Sequence, residues 1–457
     1  GNGDQDMNDA RNVALDTFLT NARSLDGGPT WLADRRGQAL DQLAKLGLPT
    51  TRDEDWRFTT LRDLSGMELG VAPAPDVEAA RRVIDSAPFA DLGCARAVVV
   101  DGQYVAELST VEIDGVRVLA LSDALTEIPE LVEEHLGAHA GFEVNAFNAL
   151  NTGLARDGVV VHAPRGIAAE EPIHILSVTT GDAAVATHGR YLIVAEESSQ
   201  VAVVETHISV ANGAYLTNPV TEIVAGANAN VDHYRVQAEA ADGFHVGSVH
   251  TWGGRDSVTS THTLSVGEGL ARNDAVVTLG GTNAEAHLNG LYLVGDGGHV
   301  DNHTTLVHAA ENCSSREVYK GVLDGDARAV FHGRIVVEKD AQETDSYQTN
   351  NNLLLSETAR VNTKPQLEIY ADQVKCSHGA TIGQMDDDSV FYLRSRGIDR
   401  QAAEGMLIYA FASEVLDGIR VGALREQLAD RLFEWLPEGD VVRDALTGDA
   451  LTREALS

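Results

Sequence analysis

Residues 300–337 read VDNHTTLVHAAENCSSREVYKGVLDGDARAVFHGRIVV. The runs HTTLVHAA, EVYKGVLDG and AVFHGRIVVE are rich in Val, Ile, Thr and Tyr and follow one another with only small polar turns between them. Each is about 4–8 residues long and bounded by Gly, Asn or Asp, the layout of short strands joined tightly. The same texture extends both ways. Upstream lie RAVVV, GVVVHAP, RYLIVAE, QVAVVETHIS, PVTEIVAG, NVDHYRVQ and GLYLVGDGG; downstream lie NLLLSE and QLEIYAD. So regular a series predicts a sandwich, a barrel or a β-solenoid. The number of strands, the small residues between them and the short turns favour the solenoid. Periodicity alone leaves a large sandwich open.

The texture changes on either side. Residues from about 8 to 90 read as largely helical, with Val13, Phe18, Ala39, Leu40, Leu43 and Ala44 at helical spacings and Gly47 placed as a C-cap. Pro49 and two threonines then interrupt. After Gly383 helices return. Asp386, Asp387 and Asp388 suit the positive end of a helix starting near Ser389, Gly397 can stop it, and Asp399 can cap the next. Leu424, Leu428, Leu432 and Trp435 form a helical stripe that reads as a docking face for a partner. The partition is a helical domain at 1–92, a β core at 93–383 and a helical domain at 384–457.

The net charge is −35, from 69 acidic and 34 basic residues dispersed along 457 positions. Lysine is confined to Lys45, Lys320, Lys339, Lys364 and Lys375. A dispersed charge of this size repels itself unless salt screens it, which reads as adaptation to a salty cytoplasm, as in halophilic archaea. It also argues against nucleic acid as a partner, since phosphates would be repelled. The cysteines, Cys94, Cys313 and Cys376, are odd in number and widely spaced, so no disulfide framework is expected. No apolar run predicts a membrane helix and the first residues lack a signal-peptide layout, so the expected location is the cytoplasm.

Several chemistries are missing. None of the lysines follows a Gly, so there is no nucleotide-binding P-loop. GDGGHV (295–300) fails the dinucleotide fingerprint at its last position, and no Gly-x-Ser-x-Gly occurs. HLGAH (135–139) sets His135 and His139 one helical turn apart without the Glu of a zinc-protease motif, and reads as a pair of surface histidines. His233, His245, His250, His262, His287, His299, His303, His308 and His332 lack ligand spacing along the chain, although a solenoid could bring a few together.

One short motif stands apart. In DQVKCSHGATIG (372–383), Cys376 and His378 are two residues apart, and on a strand they would project from one face. Thiolate and imidazole suit iron or zinc, but two donors do not close a tetrahedral site. Two readings stand open: a packed Cys beside a turn His, or half of a metal site completed by a second protein.

NTKPQLEIYADQVKCSHGATIGQMDDDSVFYLRSRGI (362–398) closely resembles the hallmark segment of the SufD family of iron–sulfur cluster assembly proteins, and LPTTRDEDWRFTTL (48–61) and residues 300–337 agree with it. The sister SufB family carries different residues where this chain has CSHGAT. The resemblance implies a right-handed parallel β-helix between helical terminal domains. It implies pairing with SufB, a SufC ATPase docked on the C-terminal helices, and a transient iron–sulfur cluster formed at the SufB–SufD interface. His378 corresponds to the family's cluster-site residue; Cys376 is the weaker candidate, and no ligand role carries over to Cys313. The chain would be a scaffold and not itself an ATPase. Reduced flavin accompanies some SUF complexes, and no residue here bears on it. Two alternatives remain. One is a SufB-like homodimer, with His378 facing its own copy across a two-fold axis. The other is a solenoid enzyme acting on acidic polysaccharide, which would call for basic clamps and secretion.

Overall fold

The computed structural model describes residues 13–23, 27–181 and 184–447. Two long sheets face each other. One lines up Gly158–Ala163, Arg190–Ala195, Val220–Ala225, Gly243–Gly253, Leu270–Leu279, His299–His308, Arg328–Val337 and Arg360–Ile369. The other lines up Ala95–Val100, Ile173–Thr179, Gln200–Ser209, Asn230–Ala238, Val258–Ser265, Glu285–Val294, Ser314–Leu323, Thr344–Leu354 and Val374–Gln384. Neighbours within these two rows are parallel throughout. Consecutive strands alternate between the sheets, giving a β-solenoid of about eight turns flanked by helices. Parallel pairing decides against the sandwich, whose sheets are antiparallel.

The corners explain why this sequence coils. Ser198, Asn228, Asp256, Asn283, Asn312 and Glu343 occupy one corner of successive turns with φ between 56° and 59°. Asn and Asp tolerate this left-handed region better than other residues with a Cβ. Each donates its backbone N–H to a carbonyl of the following turn at 2.7–3.2 Å, so the corners stack as the strands do. Inside, small residues make room for large ones. A Cβ on Gly290 would meet the Tyr319 ring at 2.2 Å, and one on Gly321 would meet the Tyr292 ring at 2.0 Å.

Helix Thr30–Leu46 ends at Gly47, whose φ is 64° and whose N–H reaches the Leu43 carbonyl, as its C-cap reading required. Three helices, Leu121–Glu127, Pro129–His135 and Ala146–Leu154, lie inside the stretch whose texture reads as β. They are short, and Leu121, Ala124 and Val132 are held by packing on Val160, Leu192 and Val194 of the solenoid. Such helices depend on tertiary contacts more than on propensity, so their sequence signal is weak.

At the other end come Asp387–Arg394, Arg400–Leu416, Gly422–Trp435 and Gly439–Thr447. Asp386 caps the first by accepting from the N–H groups of Asp388 and Ser389, two residues earlier than the sequence predicted, and Asp399 caps the second through Gln401. The Leu424/Leu428/Leu432 stripe does not face outward. It is buried in one apolar cluster with Tyr234, Leu264 and Leu291 of the solenoid, so it fastens the helices to their own chain. Among the described residues no helix is long and apolar enough to cross a membrane.

Candidate functional site

The last strand, Val374–Gln384, lies at the end of its sheet and pairs on one side only among the described residues, with Thr344–Leu354. Arg360–Ile369 ends the other sheet in the same way. The solenoid therefore stops with an open turn. In-register parallel pairing stacks side chains in columns, and these columns fix where the motif points. Glu317, Gln348 and His378 form one column; Ser315, Ser346 and Cys376 form the next. Glu317, Gln348, Ser315 and Ser346 are all buried inside the solenoid. His378 and Cys376 thus occupy core-facing positions in a turn that none of the described residues covers. His378 is exposed, Cys376 is half-buried, and Ile382 on the same face is 49% exposed.

The interior beneath is polar. Gln348 Nε2 donates to Glu317 Oε2 at 2.6 Å, Ser315 and Ser346 share a hydrogen bond of 2.7 Å, and His308 Nε2 lies 2.9 Å from Ser315 Oγ. Burial pushes the Glu317 carboxyl up to about 7. Burial, and then the nearby Asp345 charge, raise the Cys376 thiol above its ordinary value, so Cys376 is a weaker donor until a metal displaces its proton. The motif supplies an imidazole and a thiol on one face, short of a closed coordination sphere.

The other cysteines do not complete it. Cys94 precedes Ala95–Val100, at the opposite end of the sheet, and burial pushes its thiol up to about 11. Cys313 is buried at a corner two turns away and donates to the Gly281 carbonyl at 3.2 Å. His135 and His139 are both half-buried, and His139 stacks on Trp252. Of the histidines that a solenoid could bring together, His303 and His332 do meet, as register partners on neighbouring strands, and Asp55, which the sequence did not single out, joins them from the segment near the N-terminus.

Comparison with known proteins places this architecture. Residues 177–411 match the family model described as SUF system FeS cluster assembly, SufBD core domain, and residues 7–175 match the SufBD protein N-terminal region. The chain belongs to the SufBD family. It is 33% identical over 405 residues to the iron–sulfur cluster assembly protein SufD of Escherichia coli, covering 88% of this chain and 92% of that protein. It is 33% identical over 409 residues to an iron–sulfur cluster assembly SufBD family protein of Synechocystis, covering 87% and 89%. It is 28% identical over 403 residues to a chloroplastic protein of Arabidopsis thaliana named ABCI7, covering 86% and 83%.

Proposed function

We propose that this SufBD-family chain is a SufD-type scaffold that supplies one half of a transient iron–sulfur cluster site. The observation that carries the reading is the placement of His378 and Cys376 on the core-facing side of the last, uncovered strand. An open edge strand is a template for another chain. A second solenoid laid against this end, of the SufB type, would cover Ile382 and bring further ligands to His378. The cluster is cargo here: His378 offers a nitrogen donor and Cys376 a sulfur donor, and the partner closes the site. ATP hydrolysis would come from a SufC-type subunit docked on the C-terminal helices. With the leucine stripe buried, the large apolar side chains exposed there for docking are Phe391, Tyr392, Val441 and Leu446.

The test is complementation of a strain lacking its SufD. His378→Ala should retain the wild-type thermal midpoint and abolish iron–sulfur enzyme activity, because an exposed ligand contributes to metal binding and little to packing. Cys376→Ser should be milder if Cys376 mainly packs and equally severe if it is a ligand. Normal activity with a lowered midpoint would remove His378 from the site.

A further inference from the structure

The segment 48–61 crosses the outer face of the sheet far in sequence from the strands it touches. It is pinned at several points. Arg272 Nη1 donates to the Asp55 carbonyl at 2.7 Å, and its guanidinium lies 4.4 Å from the centroid of the Trp56 ring. Trp56 stacks on Phe147, Lys364 Nζ is 2.8 Å from Glu54 Oε1, and Thr59 bonds to both His299 and Asp301. This strap holds the Asp55 carboxylate over the column formed by His303 and His332, which are direct register partners. One ligand atom from each of Asp55, His303 and His332 lies within 4.8 Å of the others.

The surroundings orient both rings. His303 Nε2 is 3.0 Å from Oδ1 of Asp301, a carboxylate 0% exposed, and His332 Nε2 is 3.4 Å from Gln366 Oε1. A metal-binding histidine characteristically gives its second ring N–H to such an oxygen, which leaves the first nitrogen bare. His332 Nδ1 is the nitrogen facing Asp55, 3.8 Å from Oδ1. Ligand atoms around a tetrahedral ion with bonds of 2.0–2.1 Å are about 3.4 Å apart, so closing the site takes a small movement of the exposed Asp55 side chain. Among the described residues the Asp55 carboxylate has no ion pair with Lys or Arg. The group opens onto a cleft of about 580 Å³, lined also by Asp274, Arg334 and Lys364.

We propose that Asp55, His303 and His332 bind one divalent first-row transition metal ion, separately from the site at His378. Two imidazoles and one carboxylate on one side of an ion suit Fe2+, Zn2+ and Co2+ and leave the remaining positions to water or an incoming ligand from the cleft. The ion would also tie the 48–61 strap to two turns of the solenoid.

The test uses the full chain carrying Cys376→Ser and His378→Ala, so that the other site cannot contribute. Co2+ is titrated by its visible absorption, and Fe2+ by anaerobic equilibrium dialysis. The expected result is one ion per chain and a thermal midpoint raised by saturating Co2+. His303→Ala and His332→Ala should abolish both effects, Asp55→Asn should weaken binding at least about tenfold, and Gln366→Ala should weaken it about 10- to 100-fold. If an alanine variant fails to fold, Asp55→Asn decides, because its side chain is exposed. Absence of stoichiometric binding, or Asp55→Asn binding as tightly as its parent, would overturn the proposal.

Discussion

Five histidines are held neutral by burial: His174 and His262 are lowered to about 3, and His188, His250 and His308 to about 4. In the unfolded chain each takes up a proton near pH 6.5. Protons therefore favour the unfolded state below that value. Their contribution to stability is complete above pH 6.5 and lost as pH falls toward the folded values, at about 1.4 kcal/mol per pH unit for each. Glu317 runs the other way. A carboxyl raised to about 7 is stable with its proton on, so its contribution is lost as pH rises from about 4.3 to about 7. Five groups outweigh one, and the thermal midpoint should fall steeply between pH 6.5 and 4.5; a midpoint flat across that range would contradict the burial of these rings. Glu317→Gln keeps an acceptor for Gln348 and isolates the opposing effect. The variant should be more stable than wild type by about 3–4 kcal/mol at pH 8 and nearly equal to it at pH 4, read by urea denaturation. At this scale the sequence was informative where donor types adjoin along the chain, as in Cys376 and His378. It left open which histidines meet, His303 and His332 among them, because a spacing of one solenoid turn has no meaning until the register is known.

Strands were the most legible elements. Asn228, Asp256, Asn283 and Asn312 mark corners whose positive φ their side chains tolerate, so the runs between them could be read as strands. Parallel pairing was not legible, since side-chain alternation is the same in a sandwich. The helical stripe at Leu424, Leu428 and Leu432 was visible, but its target was not: an apolar face looks alike whether it covers a partner or its own sheet. The structure chooses the sheet, and this changes what truncation should do. Removing residues 386–457 would bare Tyr234, Leu264 and Leu291, so the shortened chain should aggregate or melt well below the full chain. A truncated chain that stays monomeric with an unchanged midpoint would show that the helices only rest on the solenoid. Leu428→Ala, at a position 2% exposed, should cost about 2–5 kcal/mol in chemical denaturation.

The whole molecule carries a net charge of −35, spread over the chain. Charges of one sign feel each other across about 30 Å at 0.01 M salt and about 3 Å at 1 M, so the thermal midpoint should rise with KCl over that range. A midpoint independent of KCl would mean that self-repulsion is already offset within the fold. The larger feature is asymmetry: one end of the solenoid stops with a turn that the described residues leave uncovered, bearing His378 and Cys376, and the proposed function requires that turn to be half of a shared site. Anaerobic reconstitution with iron and sulfide tests this most directly, using the chain alone, the chain with a SufB-type partner, and the same pair carrying His378→Ala. The chain alone should retain no stoichiometric acid-labile sulfide after desalting, whatever single iron it holds at Asp55, His303 and His332, and the wild-type pair should retain iron and sulfide together. The His378→Ala pair should still assemble at the same size but hold no stoichiometric sulfide. A His378→Ala pair holding as much iron and sulfide as the wild type would contradict it.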